Sequence, residues 1–334
     1  MKAGTGVGSM PGEDVREALR VIRGEVGDFV FVPELPARGP HAGMIGRALA
    51  VLEGLEADLQ PGGWRLGVGS GRDLQRARSL LAQDLDAAEE LLAEYEGPVK
   101  VQVTGPLTLA AHVERARGDK LVADHGARRE VAESLAEGLT THVADVRRRF
   151  GRAEQIVVQV DEPSVTAVLG GGISTASGFG RHRTVNPPEA DALLRRVVDA
   201  IDAAGARPVV HSCAADLPLT LLAGAGFTAV SFDVGLAEPD DSWSEAFESG
   251  TDLWPGVVPS IEADVTDADL GRRVERFFGR LGFDEDAYAS RTVVTPTCGL
   301  AGASPSWARQ ALSLAQRVSA GGTRSEAGPD RPPQ

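Results

Sequence analysis

The stretch Ile156–Asp161 (IVVQVD) is a short β-branched run, and similar runs return at Arg207–Ser212 (RPVVHS) and Thr228–Asp233 (TAVSFD). Each is followed by a longer segment in which apolar and polar residues recur with a helical period. Working outward along the chain, five further runs have the same character: Ala3–Gly8, Phe29–Glu34, Val99–Thr104, Leu253–Val258 and Thr292–Thr297. A regular alternation of strands and helices is typical of a parallel sheet covered by helices.

The helices predicted between and after these runs complete the repeating unit. They are Glu13–Arg23, Met44–Leu59, Asp73–Tyr95, Ala127–Phe150, Pro188–Ala204, Leu217–Ala223, Asp267–Leu281 and Ser304–Val318. Eight strand–helix units predict an α/β protein with a single (β/α)₈ TIM barrel over residues 1–318. An open, doubly wound sheet is the alternative. The runs that start at Ala3 and Leu253 are weaker as strands because they contain interior glycine or proline.

Two segments fall outside the regular pattern. Leu169–Gly180 (LGGGISTASGFG) is rich in glycine and follows a strand, so it is predicted to be a mobile loop over the mouth of the barrel. Residues 319–334 contain almost no apolar side chains, and a disordered tail is predicted there.

Composition excludes several classes of protein. Of 334 residues, 34 are basic and 48 acidic, and the resulting formal charge of -14 disfavours binding to nucleic acid or to an anionic membrane surface. Two cysteines in a chain of this length do not make a secreted disulfide scaffold. No signal peptide and no membrane-spanning run is recognisable, so a cytoplasmic location is expected.

The strongest chemical signal is His211-Ser212-Cys213 at the end of a predicted strand. Residues two apart on an extended chain point to the same side, so the imidazole and the thiol converge. Cys298 follows the last predicted strand, and in a barrel the carboxyl ends of all strands meet at one rim. Two thiolates and an imidazole form a donor set that suits Zn²⁺. Asp233, which ends another strand, is the oxygen-ligand candidate.

Carboxylates at other strand ends are candidates for binding a substrate ammonium group. Asp161 and Glu162 point to opposite sides of an extended chain, so one can face the mouth while the other forms a salt bridge or caps a helix. Glu34 lies between two prolines, which hold it rigidly. The small residues around Ser9 would let backbone N–H groups approach a ligand carboxylate.

Taken in order, these motifs resemble the C-terminal catalytic barrel of cobalamin-independent methionine synthase, in the superfamily that also contains uroporphyrinogen decarboxylase. The matching pieces are VGSMP, VPELPARG, VTGPLTL, QVDEPSV, VVHSCAAD, AVSFDVG and VTPTCGL, and they extend from Gly6 to about Leu300. The resemblance implies a zinc site of His211, Cys213 and Cys298, with Asp233 where the family has a glutamate. It also implies that homocysteine is bound by Ser9, Asp161 and Glu34.

The implied activity is zinc-dependent transfer of a methyl group to the thiol of homocysteine, which forms methionine. The donor stays open, with methyltetrahydrofolate the first candidate, because the N-terminal barrel of the long enzymes has no counterpart in these 334 residues. The family's proton-donating histidine is also missing from the segment that follows the seventh strand. There Glu262 is the candidate acid.

Other functions remain open from the sequence. The acceptor could be another thiol such as coenzyme M, or the methyl donor a corrinoid. A metal-free lyase similar to uroporphyrinogen decarboxylase would use basic residues at the mouth, for which Arg38, Arg181 and Arg183 are available. A non-catalytic barrel would keep a closed four-ligand zinc site. The sequence does not predict the oligomeric state.

Overall fold

The computed structural model describes residues 3–67 and 71–321. The strands are β1 Ala3–Gly4, β2 Val30–Phe31, β3 Ala57–Gln60, β4 Gly63–Leu66, β5 Val99–Thr104, β6 Ile156–Asp161, β7 Arg207–Ser212, β8 Ala229–Asp233, β9 Asp252–Val258 and β10 Val293–Pro296. The helices are α1 Val15–Glu25, α2 Met44–Val51, α3 Arg72–Leu91, α4 Pro106–His112, α5 His125–Arg149, α6 Val165–Leu169, α7 Pro187–Ala203, α8 Leu219–Gly224, α9 Asp241–Glu248, α10 Asp267–Arg280, α11 Glu285–Tyr288 and α12 Pro305–Ser319.

Eight of the strands form one parallel sheet in the order β1-β10-β9-β8-β7-β6-β5-β2. Each of the eight predicted runs contributes one of these strands, which confirms the predicted α/β class and strand direction. The segments that follow the two end strands, β1 and β2, are hydrogen-bonded to each other. The Glu34 N–H donates to the Gly8 carbonyl at 3.0 Å, and the Met10 N–H donates to the Glu34 carbonyl at 2.9 Å. The sheet is therefore strongly curled, as in a TIM-like barrel.

A small apolar cluster shows how far the sheet curls. Its members come from six strands and from the residue before β2, and they pack together although they lie far apart in the chain: Ala3, Phe29, Val157, Val209, Ala229, Trp254 and Val293. The rings of Phe29 and Trp254 meet edge to face, with their centroids 5.6 Å apart. Side chains from strands at both ends of the sheet thus share one interior, at the amino ends of the strands.

The helices cover the outside of the sheet for reasons visible in the sequence. In α10, Thr266 and Asp269 form a reciprocal capping box at the start. The buried side chains of this helix follow the spacing i, i+4, i+7 and i+8, which turns one face to the sheet: Leu270, Val274, Phe277 and Phe278. This agrees with the helix predicted over Asp267–Leu281.

The prediction of a single helix over Met44–Leu59 is wrong. Helix α2 ends at Val51, and residues 57–66 form the antiparallel hairpin β3–β4. Gly54 follows the helix in a left-handed conformation (φ 71°), which a helix cannot continue through. Within β4 the buried residues alternate with partly exposed ones, a period of two that belongs to a strand.

Strand β9 forms despite its proline and glycine, and its register with β10 shifts by one residue between Gly256 and Val258. Gly256 is required there because a Cβ would lie 2.7 Å from the Phe232 carbonyl oxygen and 2.8 Å from that of Pro296. The glycine therefore permits close approach of β9 to both neighbouring strands. The run at Ala3 forms only a two-residue strand, Ala3–Gly4.

The structure describes the whole of the predicted loop but only the first residues of the predicted tail. Helix α6 ends at Leu169, and the glycine-rich segment that follows contains an antiparallel bridge between Ser174 and Arg181. The Ala176 N–H also bonds Asp119 Oδ1 at 2.9 Å. Helix α12 extends to Ser319, and residues 322–334 of the predicted tail lie outside the described residues. No helix in the described residues is long and apolar enough to cross a membrane.

Candidate metal centre and adjoining cavity

Three soft donor side chains meet at the carboxyl-end rim of the sheet. His211 is the penultimate residue of strand β7, Cys213 follows the strand, and Cys298 comes two residues after β10. Their ligand atoms all lie within 4.8 Å of one another, and the two Sγ atoms are 2.9 Å apart. The structure thus brings together residues separated by 85 positions in the chain.

A hydrogen bond to Ser231 orients the His211 imidazole as in a metal ligand. Its Nδ1 lies 3.0 Å from Ser231 Oγ on the neighbouring strand, which fixes the ring. Its Nε2 is buried and has no hydrogen-bond partner among the described residues. A buried ring nitrogen without a partner is costly unless something binds it. This atom beside two thiols fits a metal ion that accepts nitrogen and sulfur ligands.

The thiol pair is poised to carry negative charge. A hydrogen bond from the Cys213 thiol, helped by the nearby His211, lowers the pKa of Cys298. The same thiol–thiol contact, together with burial, raises the pKa of Cys213. Two sulfur ligands of one tetrahedral zinc ion lie about 3.8 Å apart. The cysteines therefore need to move apart by only about 0.9 Å, starting from the 2.9 Å between their Sγ atoms, to share such an ion.

Asp233 lies beside this group rather than within it. It ends strand β8, and its Oδ1 accepts a hydrogen bond from the Gly235 N–H at 2.7 Å. Burial raises the pKa of Asp233, and the charge on Cys298 raises it further. Asp233 also borders a second cavity of about 290 Å³ against helix α10, on which Arg273 and Arg276 lie.

A cavity of about 270 Å³ adjoins the three donor side chains. Its walls include the three residues that the resemblance assigns to homocysteine, together with three of the four candidate metal ligands: Ser9, Glu34, Asp161, His211, Cys213 and Cys298. Ser9 is held against the Cys298 loop because its carbonyl accepts the Leu300 N–H at 2.9 Å. The structure therefore places the proposed metal and substrate groups in one space.

The two carboxylates of the cavity are buried. Asp161 is 8% exposed, and its Oδ1 accepts a hydrogen bond from Gln159 Nε2 at 2.7 Å. Burial raises the pKa of Asp161, and the negative charge of Glu34 adds to this. Burial likewise raises the pKa of Glu34, although Arg47 Nε lies 3.4 Å from its Oε1. An ammonium group entering this cavity would relieve both carboxylates.

Glu162, the residue after Asp161, has a structural role and does not line the cavity. It is fully buried and accepts hydrogen bonds from the Leu107 N–H at 2.9 Å, the Thr108 N–H at 2.8 Å and the Thr108 hydroxyl at 2.6 Å. These donors open helix α4, so Glu162 caps that helix from the neighbouring strand. This is the division between adjacent carboxylates that the strand geometry predicted.

Sequence reasoning missed Lys100 and Gln159, which lie under the cavity. Lys100 is fully buried in β5, and its Nζ donates to the Val7 carbonyl at 2.7 Å and to Gln159 Oε1 at 2.9 Å. A signal was available, because Lys100 and Gln102 alternate with valines in VKVQVT, a strand buried at every position. A charged residue within such a strand has to point into the interior of the sheet and find a partner there.

The remaining candidates lie away from the cavity walls. Glu262 is exposed, and its Oε1 accepts a hydrogen bond from Ser304 Oγ at 2.9 Å. Arg38 forms a two-pronged ion pair with the buried Asp84, at 2.8 and 2.6 Å, and its charge is thereby compensated within the protein. Arg181 and Arg183 are exposed on the segment after α6.

Fold and site together define a class: a parallel α/β sheet, curled as in a TIM-like barrel, with a His/Cys donor group and an acidic cavity at the carboxyl-end rim. The family described as "Cobalamin-independent synthase, Catalytic domain" matches residues 72–321. The chain belongs to this family. Membership places it among the methionine synthase-like methyltransferases.

Comparison with a solved methionine synthase agrees with the fold. A B12-independent methionine synthase from Shewanella sp. W3-18-1, solved in complex with selenomethionine, superposes with a TM-score of 0.60 at 12% identity. The match covers 96% of this chain and 97% of that one. GH5_18 from Streptomyces cattleya, solved with GlcNAc, reaches a TM-score of 0.45 at 16% identity, covering 95% and 79% of the two chains. No curated protein matches the chain.

Proposed function

We propose that this protein is a zinc-dependent S-methyltransferase that forms methionine from homocysteine, built as one closed (β/α)₈ barrel. One observation carries the proposal: the donor atoms of His211, Cys213 and Cys298 share a cavity with the carboxylates of Asp161 and Glu34. A thiol-bearing amino acid has a thiol at one end and an ammonium group at the other. The cavity offers a partner for each.

The cavity residues would bind and orient the amino acid. Asp161 and Glu34 would accept hydrogen bonds from its ammonium group, and Ser9 with its neighbouring backbone would hold its carboxylate. The volume of about 270 Å³ is small for a ligand pocket and suits a substrate of amino-acid size. Holding the thiol in one orientation converts a bimolecular attack into a positioned one. The Shewanella enzyme was solved in complex with selenomethionine, which is also an amino acid.

His211, Cys213 and Cys298 would hold the metal, and Asp233 is the proposed fourth, oxygen ligand. A zinc ion in such a set deprotonates a coordinated thiol while the thiolate ligands keep it nucleophilic. Asp233 Oδ1 accepts the Gly235 N–H, so Oδ2 would be the oxygen that serves the metal. Two reduced cysteines agree with the cytoplasmic location that we propose.

We propose methyltetrahydrofolate as the methyl donor. Its leaving nitrogen has to gain a proton, and Glu262 on the segment after β9 is the candidate acid, which would have to leave Ser304 and approach the cavity to act. Single-turnover assays with methyltetrahydrofolate, with a methylated corrinoid, and with coenzyme M as an alternative acceptor identify the two substrates directly. Methionine formed only from methyltetrahydrofolate and homocysteine is the expected result. Turnover with another donor or acceptor alone would overturn this assignment.

Zinc-edge X-ray absorption on the purified protein tests the site. Two sulfur ligands are expected without homocysteine and three with it, because the substrate thiol joins Cys213 and Cys298. The Cys298→Ser variant is expected to lose most of its zinc and all methyl transfer, while circular dichroism shows a retained fold. Stoichiometric zinc in this variant, or a sulfur count that homocysteine leaves unchanged, would contradict the proposal.

A further inference from the structure

Lys100 is a buried cation beneath the cavity that has no role in the mechanism so far. Its side chain is fully buried, and its ammonium lies 5.3 Å from the centroid of the Phe31 ring. Burial lowers the pKa of Lys100 to about 7, against the charges of Asp161 and Glu34, which raise it. A lysine buried in this way is costly unless its ammonium is used. Its hydrogen bonds show where it acts.

Lys100 anchors the oxygen of the Gln159 side-chain amide. An ammonium group only donates, so the Gln159 oxygen has to face Lys100, at 2.9 Å. The Gln159 NH₂ group is thereby turned the other way, where it donates to Asp161 Oδ1 at 2.7 Å and to the Val7 carbonyl at 2.8 Å. Without Lys100 the Gln159 oxygen loses this donor, and the amide keeps only the hydrogen bonds of its NH₂ group to Asp161 and Val7.

The same ammonium also holds the segment that carries Ser9. The Val7 carbonyl accepts hydrogen bonds from both Lys100 and Gln159. The next residues, Gly8 and Ser9, line the cavity. One buried cation thus connects the two sides of the cavity to which the substrate ammonium and carboxylate are assigned.

We propose that Lys100 is a positioning residue of the amino-acid subsite: through Gln159 it fixes the Asp161 carboxylate, and through Val7 it fixes the Ser9 segment. This inference rests on the proposed function, because it concerns the binding of homocysteine. It assigns Lys100 a role in affinity rather than in metal binding, since its ammonium donates to Val7 and Gln159.

Isothermal titration of homocysteine into the zinc-loaded protein tests the proposal. Lys100→Met is expected to raise the Kd about tenfold or more, because Asp161 loses the counter-charge that opposes its protonation and Gln159 loses its anchor. Gln159→Met removes the connection without removing a charge, and a rise of about three- to tenfold is expected. Zinc content should stay stoichiometric in both variants. The Gln159 variant also keeps the test valid if Lys100→Met does not fold.

Thr5→Val is the matched control. Thr5 is fully buried, and its hydroxyl donates to the Phe29 carbonyl at 2.9 Å, outside the Lys100 network. This variant should lower the melting temperature and leave the Kd unchanged. Unchanged or tighter binding by both Lys100→Met and Gln159→Met would overturn the positioning role. No binding of homocysteine by the unmodified protein would instead overturn the proposed function and the subsite with it.

Discussion

Replacing Asp161 by asparagine changes a single oxygen of one buried carboxylate. The Oδ1 atom is already used, because it accepts the Gln159 hydrogen bond at 2.7 Å. An asparagine in the same rotamer keeps its carbonyl oxygen on Gln159 and places its NH₂ group where Oδ2 was. The substrate ammonium would then face a donor instead of an anion.

The size of the effect follows from this geometry. Loss of a charge-assisted hydrogen bond costs about 1.5–3 kcal/mol, and a buried ion left without its partner costs up to about 5 kcal/mol. Glu34 remains in the cavity and retains part of the attraction. A loss of about 2–3 kcal/mol is therefore expected, which weakens homocysteine binding about 30- to 150-fold.

Isothermal titration with zinc-loaded protein measures this change, and metal analysis of the same samples separates it from loss of zinc. Glu162→Gln is the matched control, since it makes the same chemical change at the next residue, on the side that faces helix α4. Its Kd should equal that of the unmodified protein. A Kd for Asp161→Asn within twofold of the unmodified protein, or equal weakening in both variants, would refute the assignment.

Two further predictions concern stability. Glu162→Gln should lower the free energy of unfolding by about 1–3 kcal/mol in urea, because one amide oxygen cannot accept from the Leu107 N–H and both Thr108 donors; an unchanged value would show that the cap is dispensable. Burial, assisted by the charge of Arg47, lowers the pKa of His142 to about 4. The unfolded pKa is about 6.5. The stability contributed by His142 is therefore complete above about pH 6.5 and lost as the pH falls towards 4. Because the side chain is partly exposed, about 1–3 kcal/mol is expected. His142→Gln should lack this loss in urea titrations at pH 7, 5.5 and 4.5, and parallel curves for the two proteins would contradict it.

The fold was predictable to the extent that it depends on local pattern. The β-branched runs and the helical periods between them gave the eight parallel strands. The helix predicted over Met44–Leu59 failed because the change from a period of 3.6 to a period of two occurs within a few residues around Gly54. The packing of Phe29 on Trp254, which draws the two sides of the sheet together, has no signal in either local segment.

The candidate site, like the fold, was predictable only where it depends on local pattern. By itself the sequence determined that His211 and Cys213 converge and that Asp161 and Glu162 diverge, because side chains on a strand alternate with a period of two whatever surrounds them. Only the tertiary structure decided that Cys298 joins His211 and Cys213, that Asp161 rather than Glu162 faces the cavity, and that Asp233 bonds Gly235. Only the tertiary structure placed Lys100 beneath the side chains that we propose to bind the substrate. These outcomes depend on which strands become neighbours and how tightly the sheet curls, and contacts between distant segments set both.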